Sequence, residues 1–321
     1  MNKRRSTLIA LALSVALLPV LASGQELKKI PLKVGGPRSA AFTNAWSAQQ
    51  RGIFAKNGLD VSIVYFNNGG DAISAMQGGS VDVAETIPGF AMSAIGRGFD
   101  MAVIMQDEIS YAKGPDSCSV EVSENSPIKT IADLRGKRVG VGAAGSQSAI
   151  ALRMILDKAG VDLKTVSFNE VPFPAMLGAL KAGHIDAVVA INPFTTQISK
   201  QGGRVISWCY VEAIPDMPVG AWFSKGSFIK ANPHTVAAFV KSMKESDDWL
   251  NADADRARAE VAAFTKLDVA LLKDMPIIRW NYHVKLSKWQ EVVDMLVKYG
   301  SLDPHKAETY FSPMMKDDIT P

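Results

Sequence analysis

The residues best placed to do chemistry lie in one run, Gly142-Ala143-Ala144-Gly145-Ser146-Gln147-Ser148, just after the short apolar stretch Arg138-Val139-Gly140-Val141. A β-branched stretch that breaks into small residues reads as a strand ending in a tight loop, and Ala149 to Lys158 carries the apolar spacing of a helix. The first N–H groups of such a helix lack intrahelical partners and sit at the positive end of its dipole. Ser146, Gln147 and Ser148 would therefore offer hydroxyl, amide and backbone donors to an anion or a strong acceptor. Gly140-x-Gly142-x-x-Gly145 also matches the dinucleotide fingerprint. Gly140 falls inside the expected strand, however, and the next strand offers only Glu170 to hold a ribose, which weighs against a Rossmann site.

Other reactive side chains occur at comparable loop positions. Arg38, with Ser39 and Phe42 behind it, follows the apolar stretch around Val34; its planar guanidinium could grip a carboxylate or sulfonate bidentately, or simply face water. Gly70 and Asp71 open another helix, while Ile87-Pro88 and Asn192-Pro193-Phe194 each follow a short strand. Trp46 and Trp222 are divided between cleft and core. Asp82 and Asp186 occupy matched places and could suggest paired carboxylates for acid–base work; each follows a glycine-containing turn, so local backbone hydrogen bonding is favoured. His184, His234, His283 and His305 show no metal-ligand spacing, and no nucleophile–base pair is evident. Neither a metal nor a cofactor is expected.

The elements that must position these loops repeat. Leu32–Gly36, Val61–Phe66 and Val81–Thr86 read as strands separated by helices that run to about Lys56 and over Ala72–Gln77. After Arg138 the same course recurs, with strands over Val166–Val171 and Ile185–Ala190 and a helix over Ala175–Lys181. Val34 and Val139 stand 105 apart, Gly58 and Gly160 102, Asp82 and Asp186 104, and Pro88 and Pro193 105. Two similar α/β lobes follow, with ligand loops beyond the C-terminal ends of parallel strands. Strands at Ser119–Val122 and Val219–Ser224 flank the second unit, so the chain should cross between lobes twice and form a two-strand hinge. Lobe one is then 25–118 with 219–321, and lobe two is 119–218. Later helices should pack on lobe one: Asn232 and Pro233 open one, and Ser287 with Gln290 resembles a capping box before the stripe Trp289, Val292, Val293, Leu296 and Val297.

Residues 1–24 read as a secretory signal peptide: Lys3, Arg4 and Arg5 precede an apolar run from Leu8 to Leu21 that ends in Ala22-Ser23-Gly24. The run is short for a membrane span, and no cysteine near its end suggests a lipid anchor. Cleavage leaves 297 of 321 residues and removes three of 35 Lys plus Arg, so 32 basic residues face 32 acidic ones. A neutral mature chain argues against nucleic acid or an anionic membrane as partner. Cys118 and Cys209 would lie in an oxidising compartment, where a pair is more often bridged than reactive; bridging requires Cα atoms within about 7 Å, and the sequence leaves it open.

Four stretches carry a family resemblance: Ala48-x-x-x-Gly52-Ile53-Phe54-x-x-x-Gly58-Leu59-x-Val61, Gly79-Ser80-Val81-Asp82-Val83-Ala84, Ser126-Pro127-Ile128-x-x-Ile131-x-Asp133-Leu134-x-Gly136-Lys137-Arg138-Val139 and Ala182-Gly183-x-Ile185-Asp186-Ala187. In these the chain resembles the periplasmic substrate-binding proteins of ABC importers in the nitrate, sulfonate, taurine and thiamine-precursor group. The resemblance implies an α/β fold of two doubly wound lobes, the type II periplasmic binding-protein fold, with a ligand enclosed by hinge closure and delivered to an ABC permease. A periplasmic monomer without enzymatic activity, binding a small anionic organic ligand such as a sulfonate or carboxylate, is expected. Some members of this group hold aromatic or pyrimidine ligands between aromatic rings, a role open to Phe42, Trp46, Phe90, Phe194 and Trp222. An exported enzyme or a sensory module on the same scaffold is the alternative. The clustered-cysteine motif of the related yeast-type pyrimidine synthases is absent.

Overall fold

Alternating burial fixes the first strand: Leu32 and Val34 are covered while Pro31 and Lys33 face water. The computed structural model describes residues 29–300 and 302–321, so the signal-peptide segment lies outside the described residues. Strand β1 (Ile30–Pro37) is followed by helices α1 (Thr43–Gln50) and α2 (Ile53–Lys56), β2 (Leu59–Phe66), α3 (Gly69–Gln77), β3 (Val83–Thr86), α4 (Pro88–Gly96) and β4 (Ala102–Gln106). Gly52, at φ 68°, splits the one helix expected before Lys56 into two. The second unit contains β5 (Cys118–Ser123), β6 (Arg138–Val141), α5 (Gln147–Lys158), β7 (Ser167–Glu170), α6 (Phe173–Lys181), β8 (Ala187–Ile191), α7 (Phe194–Lys200), β9 (Gly203–Ser207) and α8 (Cys209–Ala213). The chain then returns to the first sheet with β10 (Ala221–Ser224).

The repeat seen in sequence is a repeat of register. One sheet has the order β2-β1-β3-β10-β4 and the other β7-β6-β8-β5-β9. In each, the second strand in order runs parallel to its two neighbours, and the fourth is antiparallel to both strands beside it. Val34 pairs with Val83 as Val139 pairs with Ala187, and Gly35 with Val64 as Gly140 with Asn169. Asp82 and Asp186 are matched as well. Their carboxylates accept from Lys33 N and Arg138 N, both at 2.8 Å, and so tie the start of β3 or β8 to the neighbouring strand rather than to their own turns.

The chain leaves β4 of the first sheet for β5 of the second and returns from α8 to β10 of the first, which produces the two crossings. They run side by side: Ile109 bridges Pro218, Ser110 N donates to Met217 O at 2.8 Å, and Val219 N to Glu108 O at 2.8 Å. A third segment reinforces them, since Trp280 bridges Glu108, Ile109 N donates to Arg279 O, and Arg279 pairs with Asp216 at 2.9 Å. Cys118 and Cys209, beside the crossings, are joined in a disulfide with Cα atoms 5.4 Å apart.

Helices α9 (Gly226–Ala231), α10 (Pro233–Asn251), α11 (Ala254–Thr265), α12 (Val269–Leu272) and α13 (Leu286–Tyr299) complete the chain. Helix α10 packs on α1 and α2 of lobe one, as expected. Helix α13 departs from that expectation: it lies against both α4 of lobe one and α5 of lobe two. Its stripe of Trp289, Val292, Val293 and Leu296 is buried in a core shared by both lobes. The capping box is also absent. The helix starts from Lys285, and Gln290 instead bonds Asp294 and Ala307 N.

Candidate functional site

A cavity of about 660 Å³ opens between the lobes, walled by the loops that leave β1, β3, β6 and β8 and by the crossings. Small residues shape this wall for a steric reason. A Cβ on Gly142 would lie 2.6 Å from the Phe173 ring, and one on Gly140 2.7 Å from Ile185, so two of the three fingerprint glycines make room for side chains rather than for a pyrophosphate. The Phe173 ring so admitted stacks on Phe194, centroids 5.7 Å apart at 15°. Phe66 and Phe90 line the same cavity from lobe one.

Ser146 caps α5, its hydroxyl accepting from Ala149 N at 3.3 Å, and lies 3.1 Å from the Ser148 hydroxyl. The backbone N–H groups of Gln147 and Ser148 make no hydrogen bond among the described residues. The Gln147 side chain has a different task from the one its position suggested. It is fully buried, accepts from Gly89 N at 3.3 Å and donates to Pro218 O at 2.8 Å, which ties the first turn of α5 to α4 and to the crossing. Asn192 likewise lines the cavity with its amide already engaged: it donates to Pro276 O and accepts from Thr195.

Arg38 and Ser39 reach the rim. The Arg38 guanidinium lies 4.3 Å over the Tyr65 ring and 3.4 Å from Phe264 O, and it is the only basic side chain among the lining residues. Ile87 lines the wall, whereas Pro88 is buried as the first residue of α4. Five further candidates do not reach the cavity. Phe42 and Trp222 are fully buried 5.4 Å apart in the lobe-one core, where Trp222 Nε1 donates to Asp107 Oδ1 at 3.0 Å. Trp46 packs on Phe264, and Asp71, beside Gly70 at the exposed start of α3, bonds Asn68 instead. Gly70 itself is absent from the lining; Gly69 takes that place.

The floor holds residues that the sequence reading missed: Glu85 at the end of β3, Glu108 and Ser117 on the first crossing, and Tyr210 on α8. Glu85 is 3% exposed and Glu108 7%. Neither belongs to an ion pair among the described residues, and Glu85 Oε2, Thr86 Oγ1 and Ser117 Oγ are buried without any hydrogen-bond partner. Burial pushes both carboxyls up, helped in each case by the neighbouring Asp107, and Glu108 reaches about 8. A signal was available in sequence: Glu85 is the one charged residue in Val83-Ala84-Glu85-Thr86, at the strand end where ligand loops begin. A second depression of about 570 Å³ on the outer face, beside Lys56 and Lys241, is rimmed by exposed lysines, one already paired with Glu245. No group of three or more His, Cys, Asp or Glu among the described residues is arranged to hold a metal, and no described helix is long and apolar enough to cross a membrane.

Comparison with known proteins places this cleft in context. A Brucella abortus chain named as a binding protein is 26% identical over 314 residues, covering 93% of this chain and 94% of that one. The formylaminopyrimidine-binding protein of Halalkalibacterium halodurans is 25% identical over 257 residues, 78% of this chain and 76% of the relative. The periplasmic aliphatic sulphonate binding protein SsuA of Escherichia coli superposes with a TM-score of 0.73 at 20% identity, over 88% of this chain and 97% of that structure. The NMT1-like family matches residues 25–265, a span that includes both sheets and every wall of the cavity but Ile278. The chain therefore belongs to the NMT1-like family and has the two-lobed fold of the periplasmic solute-binding proteins.

Proposed function

We propose that this protein is the extracytoplasmic solute-binding component of an ABC importer, acting in the periplasm without catalysis of its own. It captures a small organic solute between its lobes and hands it to a membrane permease. The observation that carries this reading is the cavity itself: both lobes contribute strand-end loops, and the two crossings, bridged antiparallel to each other and to the segment at Trp280, run behind it. A ligand touching both walls stabilises the closed arrangement by the contacts that only that arrangement makes. The relatives support the reading through what their names say they bind, a sulphonate and a formylaminopyrimidine.

Within the cavity, an acidic or strongly accepting group of the solute meets the start of α5, where Ser146 and Ser148 line the wall. Arg38 approaches from the opposite rim, and a flat body packs against Phe173 and Phe194. A thermal-shift screen over sulfonates, carboxylates and heterocycles tests this. A ligand at 100 times its dissociation constant stabilises a fold by about 2.7 kcal/mol. Scattering of the liganded protein should show compaction, and turnover of a bound compound would overturn the non-enzymatic reading.

A further inference from the structure

The cavity floor is chemically unlike its rim. At the rim lie Arg38 and the first turn of α5; at the floor lie two carboxyls, a threonine and a serine hydroxyl, and Tyr210, with no cation. Buried polar atoms in folded proteins nearly always have partners, and those that lack one call for an explanation. Three of the unpartnered buried atoms, Glu85 Oε2, Thr86 Oγ1 and Ser117 Oγ, line this single cavity. Once ionised, a carboxylate offers only acceptors, and the two hydroxyls beside it can accept as well as donate, so N–H donors complete this floor. Arg38 cannot supply them from within the chain, since its guanidinium is stacked on Tyr65 at the rim and bonded to Phe264 O.

We infer that Glu85 and Glu108 form a donor-receiving subsite, and that the solute is amphoteric: an ammonium, amidinium or amino-heterocycle edge enters this floor while its accepting end meets α5. The inference rests on the solute-binding reading and narrows its substrate class. It disfavours inorganic anions and simple sulfonates as the best ligands, because they bring no N–H donor to this floor and would set negative charge against whichever carboxyl is ionised.

Proton linkage follows. Glu108 is faced by Glu85 from β3, Asp107 and Asp116 from its own crossing, Tyr111, and Tyr210 from α8, and no ammonium or guanidinium group offsets them in the cavity floor. In the free protein the carboxyl keeps its proton below about pH 8. Binding a cationic or donor-rich edge requires that proton to leave. Affinity should accordingly rise with pH between about 6 and 8, by up to tenfold per unit.

Three matched pairs that differ only in an amino group test this: taurine and ethanesulfonate, β-alanine and propionate, 4-aminopyrimidine and pyrimidine. Calorimetry at pH 6, 7 and 8 should show the amino member of at least one pair bound tenfold or more tightly than its partner, with affinity rising with pH. Glu108→Gln and Glu85→Gln keep side-chain shape and remove a buried ionisable group, so both should fold, and each should erase the amino preference. Preference for the amino-free members, affinity falling with pH, or a preference that survives both variants would overturn the inference. Ligand-induced compaction in the same samples would then still uphold solute binding. No binding by any of the six compounds overturns the proposed substrate class and leaves solute binding to be decided by the wider screen.

Discussion

Gly142 shows how one missing side chain sets a binding wall. Its hydrogen leaves the space that Phe173 fills, and Phe173 in turn carries Phe194. Gly142→Val would drive its branched side chain into the Phe173 ring, and overpacking of this kind costs about 1–3 kcal/mol. Denaturant unfolding should register that loss, and affinity for whatever solute the screen identifies should fall with it. Gly145→Ala is the control, because a Cβ there meets nothing within 4 Å and the backbone is not left-handed; stability and binding should both stay unchanged. If Gly145→Ala were the damaging substitution, the fingerprint glycines would be serving a phosphate after all. Ser146→Leu tests the anion end: it removes the cap and a hydroxyl from the wall, and affinity should drop at least about tenfold, or roughly 1.4 kcal/mol.

Helix α5 is the element on which the two lobes meet. Its first turn reaches lobe one and the crossing through Gln147, and its flank packs on α13, where Asp157 bonds Lys298 at 2.8 Å and Tyr299 OH at 2.5 Å. The exposed ion pair contributes little, because water screens both charges. The apolar contact is what holds α13 in place: Trp289 is fully buried and donates from Nε1 to Gln106 Oε1 at 2.7 Å, so Trp289→Ala should cost about 3–5 kcal/mol in an unfolding titration. The disulfide acts at the other margin of α5's lobe. Cys118 and Cys209 close a loop with a sequence separation of 91, and replacing both by serine should lower stability by about 2–4 kcal/mol. An unchanged denaturation midpoint in the serine variant would mean that the crossings alone define the hinge.

Over the whole molecule, buried acids outweigh the cations near them. Burial raises Asp107 to about 7, Glu108 to about 8, Asp116 to about 6 and Glu121 to about 7. Each of these groups holds its proton more tightly in the folded chain than in the unfolded one, so their contribution is most favourable below about pH 4 and is lost as pH rises toward 8. Asp133, Asp157 and Asp186 work in the opposite sense: hydrogen bonds from Lys129 N, from Lys298 and from Arg138 respectively lead the causes that lower them, and their stabilisation is lost only below about pH 4. The ligand-free protein should therefore melt at a higher temperature at pH 5 than at pH 8. Calorimetric scans across that range check the sign, and a melting point that climbs toward pH 8 would show that these carboxyls are ionised and paired.

The sequence by itself determined the architecture, because strand periodicity, small residues at strand ends and a spacing of about 105 between equivalent positions are local signals, and both sheets use them in the same register. It also located Ser146 at the start of the helix and the loop residues Arg38, Ser39, Ile87, Asn192 and Phe194, all of which line the cavity. Direction within the fold was not legible. Phe42 and Trp222 follow or lie on strands of the right lobe yet turn into its core, because a side chain's face depends on which helices cover the sheet. The carboxyl floor came only with tertiary structure: Glu85 lies on β3 and Glu108 on the first crossing, and both look like ordinary charged residues until the second crossing and α8 close over them. The same holds for α13, whose stripe announces a buried face but not that the face spans two lobes. Burial and charge proximity arise from contacts distant in sequence, and those contacts decide what this cleft can hold.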